Sequence, residues 1–305
     1  MRIHFDHALT TAQDAAGAQH YPPGALYVVA TPIGNLADIS LRALHVLNLC
    51  DSVACEDTRH SQTLLRAYKI DKSPHQWLAL HQHNEAQASQ EVVRRLQAGQ
   101  RVVYVSDAGT PAISDPGARL VWQVQQAGLR VVPLPGASSI TALLSACGTP
   151  LPDTPGFVFV GFLPSKASLR TDAVQQLAQE TRTQVVLEAP HRIVALAEAL
   201  AVLGPRPLSI GRELTKQFEE VVTLPAGDFA AWLQADAQRQ RGEFVVVVHA
   251  CEASAQPHDD SQRVLQLLLS ELPLKTAVKL TADITGQARN DVYALALALK
   301  KENTP

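Results

Sequence analysis

The amino-acid sequence predicts an α/β protein with two α/β domains and a small C-terminal helical domain. Between residues 25 and 150, short apolar runs alternate five times with helical patterns, and the connections are short. This alternation predicts a parallel sheet with helices on both faces. The segment Thr149–Gly156 then places three prolines in eight residues, which indicates a domain boundary, and a second series of strands follows it.

The first domain is predicted over residues 25–150, after a loose polar tail over residues 1–24. Its strands should follow the apolar runs, at Leu26–Ala30, Ser52–Glu56, Leu78–Leu80, Val102–Val105 and Leu129–Leu134. Helices are expected between them. One begins at about Ser40 with leucines on one face, and Gly99 ends another that begins at Glu85.

The second domain is predicted over residues 151–250, with strands at Phe157–Val160, Gln184–Leu187, Leu208–Ile210, Glu220–Leu224 and Phe244–Val248. The third and fourth of these strands are close enough for a hairpin, which predicts a mixed sheet. Residues 251–305 should contain a polar linker and three short helices, near Arg263–Leu269, Lys275–Ile284 and Asp291–Lys300. Gly286 separates the last two, which therefore have helix-turn-helix proportions.

The stretch Arg101–Gly117, RVVYVSDAGTPAISDPG, is the clearest candidate for a ligand site. A buried-type strand leads into a turn of small residues around Gly109, and Asp115 is a plausible N-cap for the next helix. A strand that feeds a glycine turn and a helix N-terminus is how open α/β sheets build a ligand crevice. Free backbone amides in such a turn can receive an anionic group.

Polar segments follow most of the predicted strands. They are Thr31–Asn35, Glu56–His60, His83–Glu85, Asp107–Pro111, Pro135–Ser139, Gly161–Pro164, Glu188–Arg192 and Gly211–Lys216. The carboxyl ends of parallel strands share one edge, so these segments should face one crevice. The alternative for any single segment is an ordinary polar turn.

Composition restricts the class of protein. The net charge is −3, so a contact with nucleic acid would have to come from local patches. The four cysteines form no CxxC pair and do not cluster with histidines, which predicts reduced thiols rather than disulfides or a zinc site. No metal cluster with plausible ligand spacing is found. There is no apolar run before Tyr21 and no membrane-length span, which predicts a cytoplasmic protein.

Several motifs occur together in one order: TPIGNLADIS, EDTRHSQTLL, HNE, VSDAGTPAISDPG, PLPGASS, GFLPSK, EAPHR and GRELTK. Together they resemble the tetrapyrrole methylase superfamily, and within it the branch that methylates the 2′-hydroxyl of a cytidine in 16S ribosomal RNA of the small subunit. The match covers about residues 25–250, and LPLKTAVKLTADITGQARNDVYALAL resembles the small helical domain of that branch. The resemblance implies two α/β domains with S-adenosylmethionine in the cleft between them, and a homodimer.

The resemblance also implies which residues bind the cofactor. They are Pro32, Gly34, Asp107, Ala108, Gly109, Ile113, Ser138 and Ser139 from the first domain, and Leu163 and Leu214 from the second. Two alternatives stay open at this point. Asp107 can be a turn former or a helix cap, and the two serines can be no more than helix caps.

The implied reaction is an in-line attack of a ribose 2′-oxygen on a sulfonium methyl group, which needs positioning and a proton acceptor. His83 and Glu85 are the first candidates for catalysis, because a histidine near neutrality accepts protons readily. Further candidates are Glu56, Asp57, Glu188 and His191. The alternative for His83 is an ordinary loop histidine.

An RNA substrate requires cations near the crevice. The candidates in the crevice loops are Arg59, Arg192, Arg212 and Lys216. Lys275 and Lys279 lie in the segment Pro273–Lys301, whose five basic and two acidic residues give a local charge of about +3. Each of these residues can instead be an ordinary solvated or ion-paired side chain.

Three functions therefore compete. The first is 2′-O-methylation of a cytidine in 16S ribosomal RNA. The second is methylation of a tetrapyrrole by the same fold, against which the charged EDTR, EAPHR and GRELTK loops and the basic helical tail argue, because a macrocycle needs a broad apolar trough. The third is a non-catalytic RNA-binding assembly factor, which would have no use for an intact set of cofactor loops.

Overall fold

Five apolar strands between residues 25 and 134 form the first sheet of the computed structural model. The model describes residue 5 and residues 7–81, 84–148, 156–252 and 260–302, except the side chains of residues 260 and 300–302. The strands are β1 Ala25–Val29, β2 Ser52–Cys55, β3 Trp77–Ala79, β4 Val102–Val105 and β5 Arg130–Leu134. Their order is β3-β2-β4-β1-β5, and all neighbouring pairs are parallel. The predicted parallel sheet is confirmed.

The helices around this sheet are α1 Ala8–Ala16, α2 Leu41–Leu49, α3 Thr58–Ala67, α4 Glu85–Gln97 and α5 Gly117–Gln126. They bury both faces of the sheet, so β1, β2 and β4 are buried along their whole length. Ser40 caps α2 by accepting a hydrogen bond from the amide of Ala43 at 3.1 Å, as its sequence position predicts.

The described part of the N-terminal segment, residue 5 and residues 7–24, contains a packed helix, contrary to the loose tail predicted for residues 1–24. α1 buries Ala12 completely and Ala16 almost completely, and Tyr21 joins the same core. The ring of Phe5 lies 5.0 Å from that of Tyr68. The prediction was wrong because small alanines, which scarcely mark an apolar face, are sufficient for close packing of α1.

The second sheet contains β6 Phe157–Phe162, β7 Thr183–Glu188, β8 Pro207–Arg212, β9 Glu220–Pro225 and β10 Phe244–Val248. Its order is β6-β7-β10-β8-β9. β6 and β7 are parallel, whereas β10 is antiparallel to both of its neighbours. β8 and β9 form the expected antiparallel hairpin, so the mixed sheet is confirmed. One face packs against α7 Ala167–Gln179, α8 Ile193–Leu200 and α9 Phe229–Gln234.

The other face of the second sheet is covered by α6 Ser139–Cys147, although this helix follows β5 in the chain. Leu143 of α6 is buried against Val185, Val245 and Val247, and Leu214 belongs to the same cluster. Ile33, from the turn after β1, is also part of it. The two sheets therefore share a core within one compact unit, Met1–Ala250.

A second compact unit spans Cys251–Pro305. Its helices are α10 Asp260–Glu271, α11 Leu274–Thr285 and α12 Arg289–Glu302, close to the three predicted ones. Leu265, Ala277 and Val292 lie in its core. Gly286 ends α11 in the left-handed conformation at φ +72°, which glycine adopts without steric cost. None of the described helices is both long and apolar enough to cross a membrane.

Candidate cofactor cleft

The turns after β1 and β4 are joined at the carboxyl edge of the first sheet. Thr31 and Gly109 exchange two backbone hydrogen bonds of 2.9 and 3.1 Å. The Ser106 hydroxyl donates to the carbonyl of Gly109 at 3.2 Å. Gly109 has φ +81°, and a β-carbon there would come 3.3 Å from Cγ2 of Ile33. The turn therefore requires glycine both for its conformation and for its close approach to the neighbouring loop.

A cavity of about 350 Å³ lies between these turns and the edge of the second sheet. Of the ten residues predicted to bind the cofactor, six line it: Ala108, Gly109, Ile113, Ser138, Ser139 and Leu214. Ser138 occupies the N-cap position of α6 but its side chain makes no capping hydrogen bond, so helix capping does not account for its hydroxyl. The structure therefore brings six of the predicted residues together at one cavity, and their contact with the cofactor stays a prediction.

The other four predicted residues do not line the cavity. Pro32 is buried next to Ile33, which does line it, and Gly34 lies under the side chain of Lys216. Asp107 accepts a hydrogen bond of 3.4 Å from the amide of Asp57, so its carboxylate is turned towards the loop after β2. Leu163 is buried in the core of the second domain, directly after the cavity residue Phe162. These four residues therefore lie next to the cavity lining rather than in it, and their role in cofactor binding stays a prediction.

The sequence missed a third part of the wall, the segment Glu243–Val245. The predicted crevice segments all follow the carboxyl ends of strands. The strand β10 runs antiparallel to its neighbours and therefore places its amino end at the same edge. Phe244 pairs with Glu188 on one side and with Arg212 on the other. The signal that could have found it is the mixed sheet itself, since a reversed strand brings its first residues to the crevice.

Glu188, one of the residues that line the cavity, forms an ion pair with Arg192. The Glu188 side chain is fully buried, and its Oε1 lies 3.1 Å from Nε of Arg192 and 2.9 Å from the amide nitrogen of Ala189. Arg192 also donates a hydrogen bond to the carbonyl of Leu163. Arg192 therefore links two loops, and its prediction as an RNA contact is corrected to a structural role.

Arg212 is also a structural residue rather than an exposed RNA contact. Only 9% of its side chain is exposed. It donates hydrogen bonds to the carbonyls of Arg241 and Gln238, at 2.8 and 2.6 Å, and lies 3.7 Å from a carboxylate oxygen of Glu220. A phosphate would have to displace these buried contacts.

Lys216 is held between two carboxylates. Its Nζ lies 2.8 Å from Oε1 of Glu213 and 2.9 Å from Oε2 of Glu243. Although burial opposes ionisation of Glu213, hydrogen bonds from Lys216 and from the amide of Glu243 hold the pKa of this carboxyl below its usual value. The ammonium group is therefore already paired, and the predicted contact of Lys216 with RNA stays a prediction.

An acidic region adjoins the cavity on the side of the first sheet. Burial, reinforced by the negative charges of Asp107 and Asp115, raises the pKa of Glu56. Asp115 accepts hydrogen bonds from the Tyr104 hydroxyl and from the amides of Ala112 and Gly117. The N-cap position of α5 is occupied by Pro116 rather than by the predicted Asp115, which lies one residue earlier. The Asp115 carboxylate nevertheless accepts from the first amide of the helix and stabilises the turn that carries Ile113.

Of the two predicted catalytic residues, the structure describes only Glu85. His83 lies outside the described residues. Glu85 begins α4, is buried, and does not line the cavity. One of its carboxylate oxygens lies 3.3 Å from Nη1 of Arg119, and the other has no hydrogen-bond partner among the described residues.

Three predicted RNA contacts remain exposed to solvent. Arg59 has 90% of its side chain exposed and pairs with Asp57 at 3.2 Å. Lys275 and Lys279 are exposed on α11. Exposed side chains of this kind can contact phosphates without losing buried contacts.

Comparison with known proteins identifies the family. A family model described as tetrapyrrole (corrin/porphyrin) methylases matches residues 25–230. The chain belongs to the tetrapyrrole methylase family. A second model, described as the RsmI C-terminal HTH domain, matches residues 255–300 of this methylase.

Curated relatives of this tetrapyrrole methylase carry the name Ribosomal RNA small subunit methyltransferase I. The protein from Pseudomonas aeruginosa is 47% identical over 90% of this chain and 97% of its own length. The protein from Escherichia coli O157:H7 is 44% identical over 90% of this chain and 95% of its own.

Solved structures share the fold of this tetrapyrrole methylase. A cobalt precorrin-4 methyltransferase, CbiF, aligns with a TM-score of 0.55 and 17% identity, over 75% of this chain and 98% of its own. A uroporphyrin-III C-methyltransferase from Thermus thermophilus, complexed with S-adenyl homocysteine, aligns with a TM-score of 0.50 and 19% identity, over 73% and 96% of the two chains.

Proposed function

We propose that this tetrapyrrole methylase transfers a methyl group from S-adenosylmethionine to the 2′-oxygen of a cytidine ribose in 16S ribosomal RNA. Relatives named as small-subunit ribosomal RNA methyltransferases match it at 41–47% identity over nearly their whole length. The observation that carries the proposal is the cavity, which six of the ten predicted cofactor residues line, from both domains.

The residues around the cavity suit the chemical parts of the cofactor. Ile33, Ile140 and Val245 offer apolar surface for an adenine ring. The glycine turn at Gly109 and the hydroxyl groups of Ser138 and Ser139 can donate hydrogen bonds to a carboxylate. The volume of about 350 Å³ lies within the range of small-molecule sites.

When bound, the cofactor supplies a methyl group that leaves sulfur for the ribose oxygen, while the hydroxyl proton leaves for an acceptor. The cavity walls would hold the cofactor in place, which supplies the positioning that the transfer needs. We assign the proton acceptor to His83, with Glu85 as a second catalytic residue. Glu85 acts in this assignment through its unpaired oxygen Oε1, since Oε2 is engaged by Arg119.

The RNA contacts in this proposal are Arg59, Lys275 and Lys279, because their cationic groups are exposed. The proposed partner is the small ribosomal subunit, and the proposed assembly is a homodimer in the cytoplasm. The basic charge of about +3 over Pro273–Lys301 supports a backbone contact with RNA in a chain that is acidic as a whole.

The decisive experiment is transfer of labelled methyl from S-adenosylmethionine to unmodified small ribosomal subunits, with naked 16S RNA as a second substrate. Alkali does not cleave next to a 2′-O-methylated ribose, so a labelled, alkali-resistant dinucleotide that begins with cytidine is expected. Label on subunits alone would identify the assembled subunit as the substrate. Tight cofactor binding without label on either RNA would favour a small-molecule methylase, and RNA binding without cofactor binding would favour an assembly factor.

A further inference from the structure

The segment Glu213–Lys216 closes one end of the cavity and is strained. Thr215 has φ +67° and Glu213 has φ +51°, a left-handed conformation that side chains other than glycine rarely adopt. The hydroxyl of Thr215 accepts a hydrogen bond of 3.2 Å from the amide of Asn35, in the turn after β1. Strain of this kind persists where the surrounding structure enforces it, and it is concentrated at functional sites.

This strained segment fixes the position of Glu243. The amide of Glu213 donates to the carbonyl of Glu243, and the amide of Glu243 donates back to Oε1 of Glu213, both at 3.0 Å. Lys216 adds the contact to Oε2 of Glu243 at 2.9 Å. Glu243 is thus held at both its backbone and its side chain.

Glu243 lines the cavity, and 70% of its side chain is exposed. Its pairing with Lys216 engages only Oε2, and the trio of Glu213, Lys216 and Glu243 carries two carboxylates and one ammonium group. The trio itself therefore carries one net negative charge at this end of the cavity, and the nearby Arg212 is paired with Glu220. The other carboxylate among the lining residues, that of Glu188, is neutralised by Arg192.

We propose that Glu243, held in place by Lys216, determines specificity for the charge of the ligand and favours the cationic methyl donor over the neutral product. This inference rests on the proposed function. S-adenosylmethionine carries one net positive charge because of its sulfonium, whereas S-adenosylhomocysteine, which has lost the methyl group, is neutral overall. A negative charge beside the cavity strengthens the binding of S-adenosylmethionine and leaves the binding of S-adenosylhomocysteine unaffected. Glu243 therefore favours the donor over the product when the two compete for the cavity after each turnover.

The test compares ligands of the two charges on one variant. Sinefungin carries a protonated amine in place of the sulfonium and is chemically stable, so it represents the cationic donor, and S-adenosylhomocysteine represents the neutral product. Isothermal titration calorimetry on the full chain should show that Glu243→Gln weakens sinefungin binding about twofold to fivefold, within the range of exposed charge pairs, and leaves S-adenosylhomocysteine binding unchanged.

The matched control is Glu198→Gln, which removes one exposed negative charge from α8, outside the cavity lining. Its ratio of the two affinities should equal that of the wild type. Equal weakening of both ligands by Glu243→Gln would mean that Glu243 only maintains the shape of the cavity, and this would overturn the inference. An unchanged ratio in Glu243→Gln, or the same shift in the control, would overturn it as well.

The outcome for the wild-type protein separates this inference from the proposed function. If the wild type binds neither ligand, the methyltransferase proposal fails and the inference fails with it. If it binds both and the variant leaves their ratio unaltered, only the role of Glu243 is refuted.

Discussion

The side chain of Lys216 lies directly on Gly34, so that a β-carbon at Gly34 would come 2.4 Å from Cγ of Lys216. One residue belongs to the turn after β1 and the other to the loop after β8. The same loops are joined by the hydrogen bond between the amide of Asn35 and the hydroxyl of Thr215. The position of Lys216, and through it that of Glu243, depends on the absence of a side chain at residue 34.

Gly34→Ala should therefore displace Lys216. We expect a loss of about 1–2 kcal/mol in the free energy of unfolding, as for other insertions into close-packed sites. In a Lys216→Ala background the obstructing Cγ is absent, so the same change should cost less than about 0.5 kcal/mol. Urea unfolding of the wild type, the two single variants and the double variant Gly34→Ala/Lys216→Ala measures this coupling. Equal costs in both backgrounds would show that the two residues are not in contact.

Gly109→Val should abolish cofactor binding and leave the protein folded. The change forces a β-branched residue to φ +81° and pushes a side chain towards Ile33 in the cavity wall. Gly99 is a matched control, because it has φ +82° with open space around its β-carbon position and does not line the cavity. Calorimetric titration with S-adenosylhomocysteine should show binding by Gly99→Val and none by Gly109→Val. Circular dichroism should show that both variants are folded. Normal binding by a folded Gly109→Val variant would refute the assignment of this turn.

Arg192→Ala should destabilise the protein by about 3 kcal/mol or more, because it leaves the fully buried carboxylate of Glu188 without its cation. The double variant Glu188→Gln/Arg192→Ala should recover part of this loss, since no buried charge remains. Urea unfolding measures both effects. A stable Arg192→Ala variant with weakened RNA binding would instead support the original sequence prediction of an RNA contact.

His249 should make the free energy of unfolding depend on pH below about 6.5. Burial, together with the nearby Arg206 cation, lowers the pKa of this histidine from 6.5, and its Nε2 lies 2.7 Å from the hydroxyl oxygen of Ser209. Because the folded pKa is lower than the unfolded one, the unfolded chain binds the proton first. Stability is therefore lost as the pH falls from the unfolded pKa towards the folded one.

The variant His249→Gln isolates this contribution, because His45, whose pKa burial also lowers, is left in place. Urea unfolding between pH 5 and pH 7.5 should give a smaller slope of stability against pH than in the wild type. Identical slopes would mean that His249 does not titrate differently in the folded and unfolded states.

Arg59→Gln should weaken RNA binding without affecting stability. Its side chain is 90% exposed, and its replacement should reduce the slope of log affinity against log salt concentration by about 1. Arg212→Gln offers the contrast, because this arginine is buried and its loss should lower the free energy of unfolding. Filter binding with 16S RNA at several salt concentrations, paired with urea unfolding, distinguishes the two roles. An unchanged salt slope for Arg59→Gln would remove Arg59 from the RNA surface.

The strands and the glycine turns could be predicted because their signals are local. The run Val102–Val105 followed by the turn at Gly109 predicts both a buried strand and a ligand loop from adjacent residues alone. The roles of the charged residues could not be predicted in this way. Arg192, Arg212 and Lys216 occur in crevice loops, but their partners are Glu188, Glu220 and Glu243, and the last of these is 27 residues away. Whether an arginine faces solvent or a buried carboxylate depends on tertiary contacts.

The position of α6 has a consequence for attempts to divide or recombine this protein. By chain order α6 ends the first domain, yet Leu143 fills the face of the second sheet at Val185, Val245 and Val247. A gene cut after residue 148 would leave that face bare in the C-terminal fragment and would invite aggregation. Chimeras between relatives should therefore cross over between β5 and α6, at residues 135–138, so that each sheet inherits the helix that covers it.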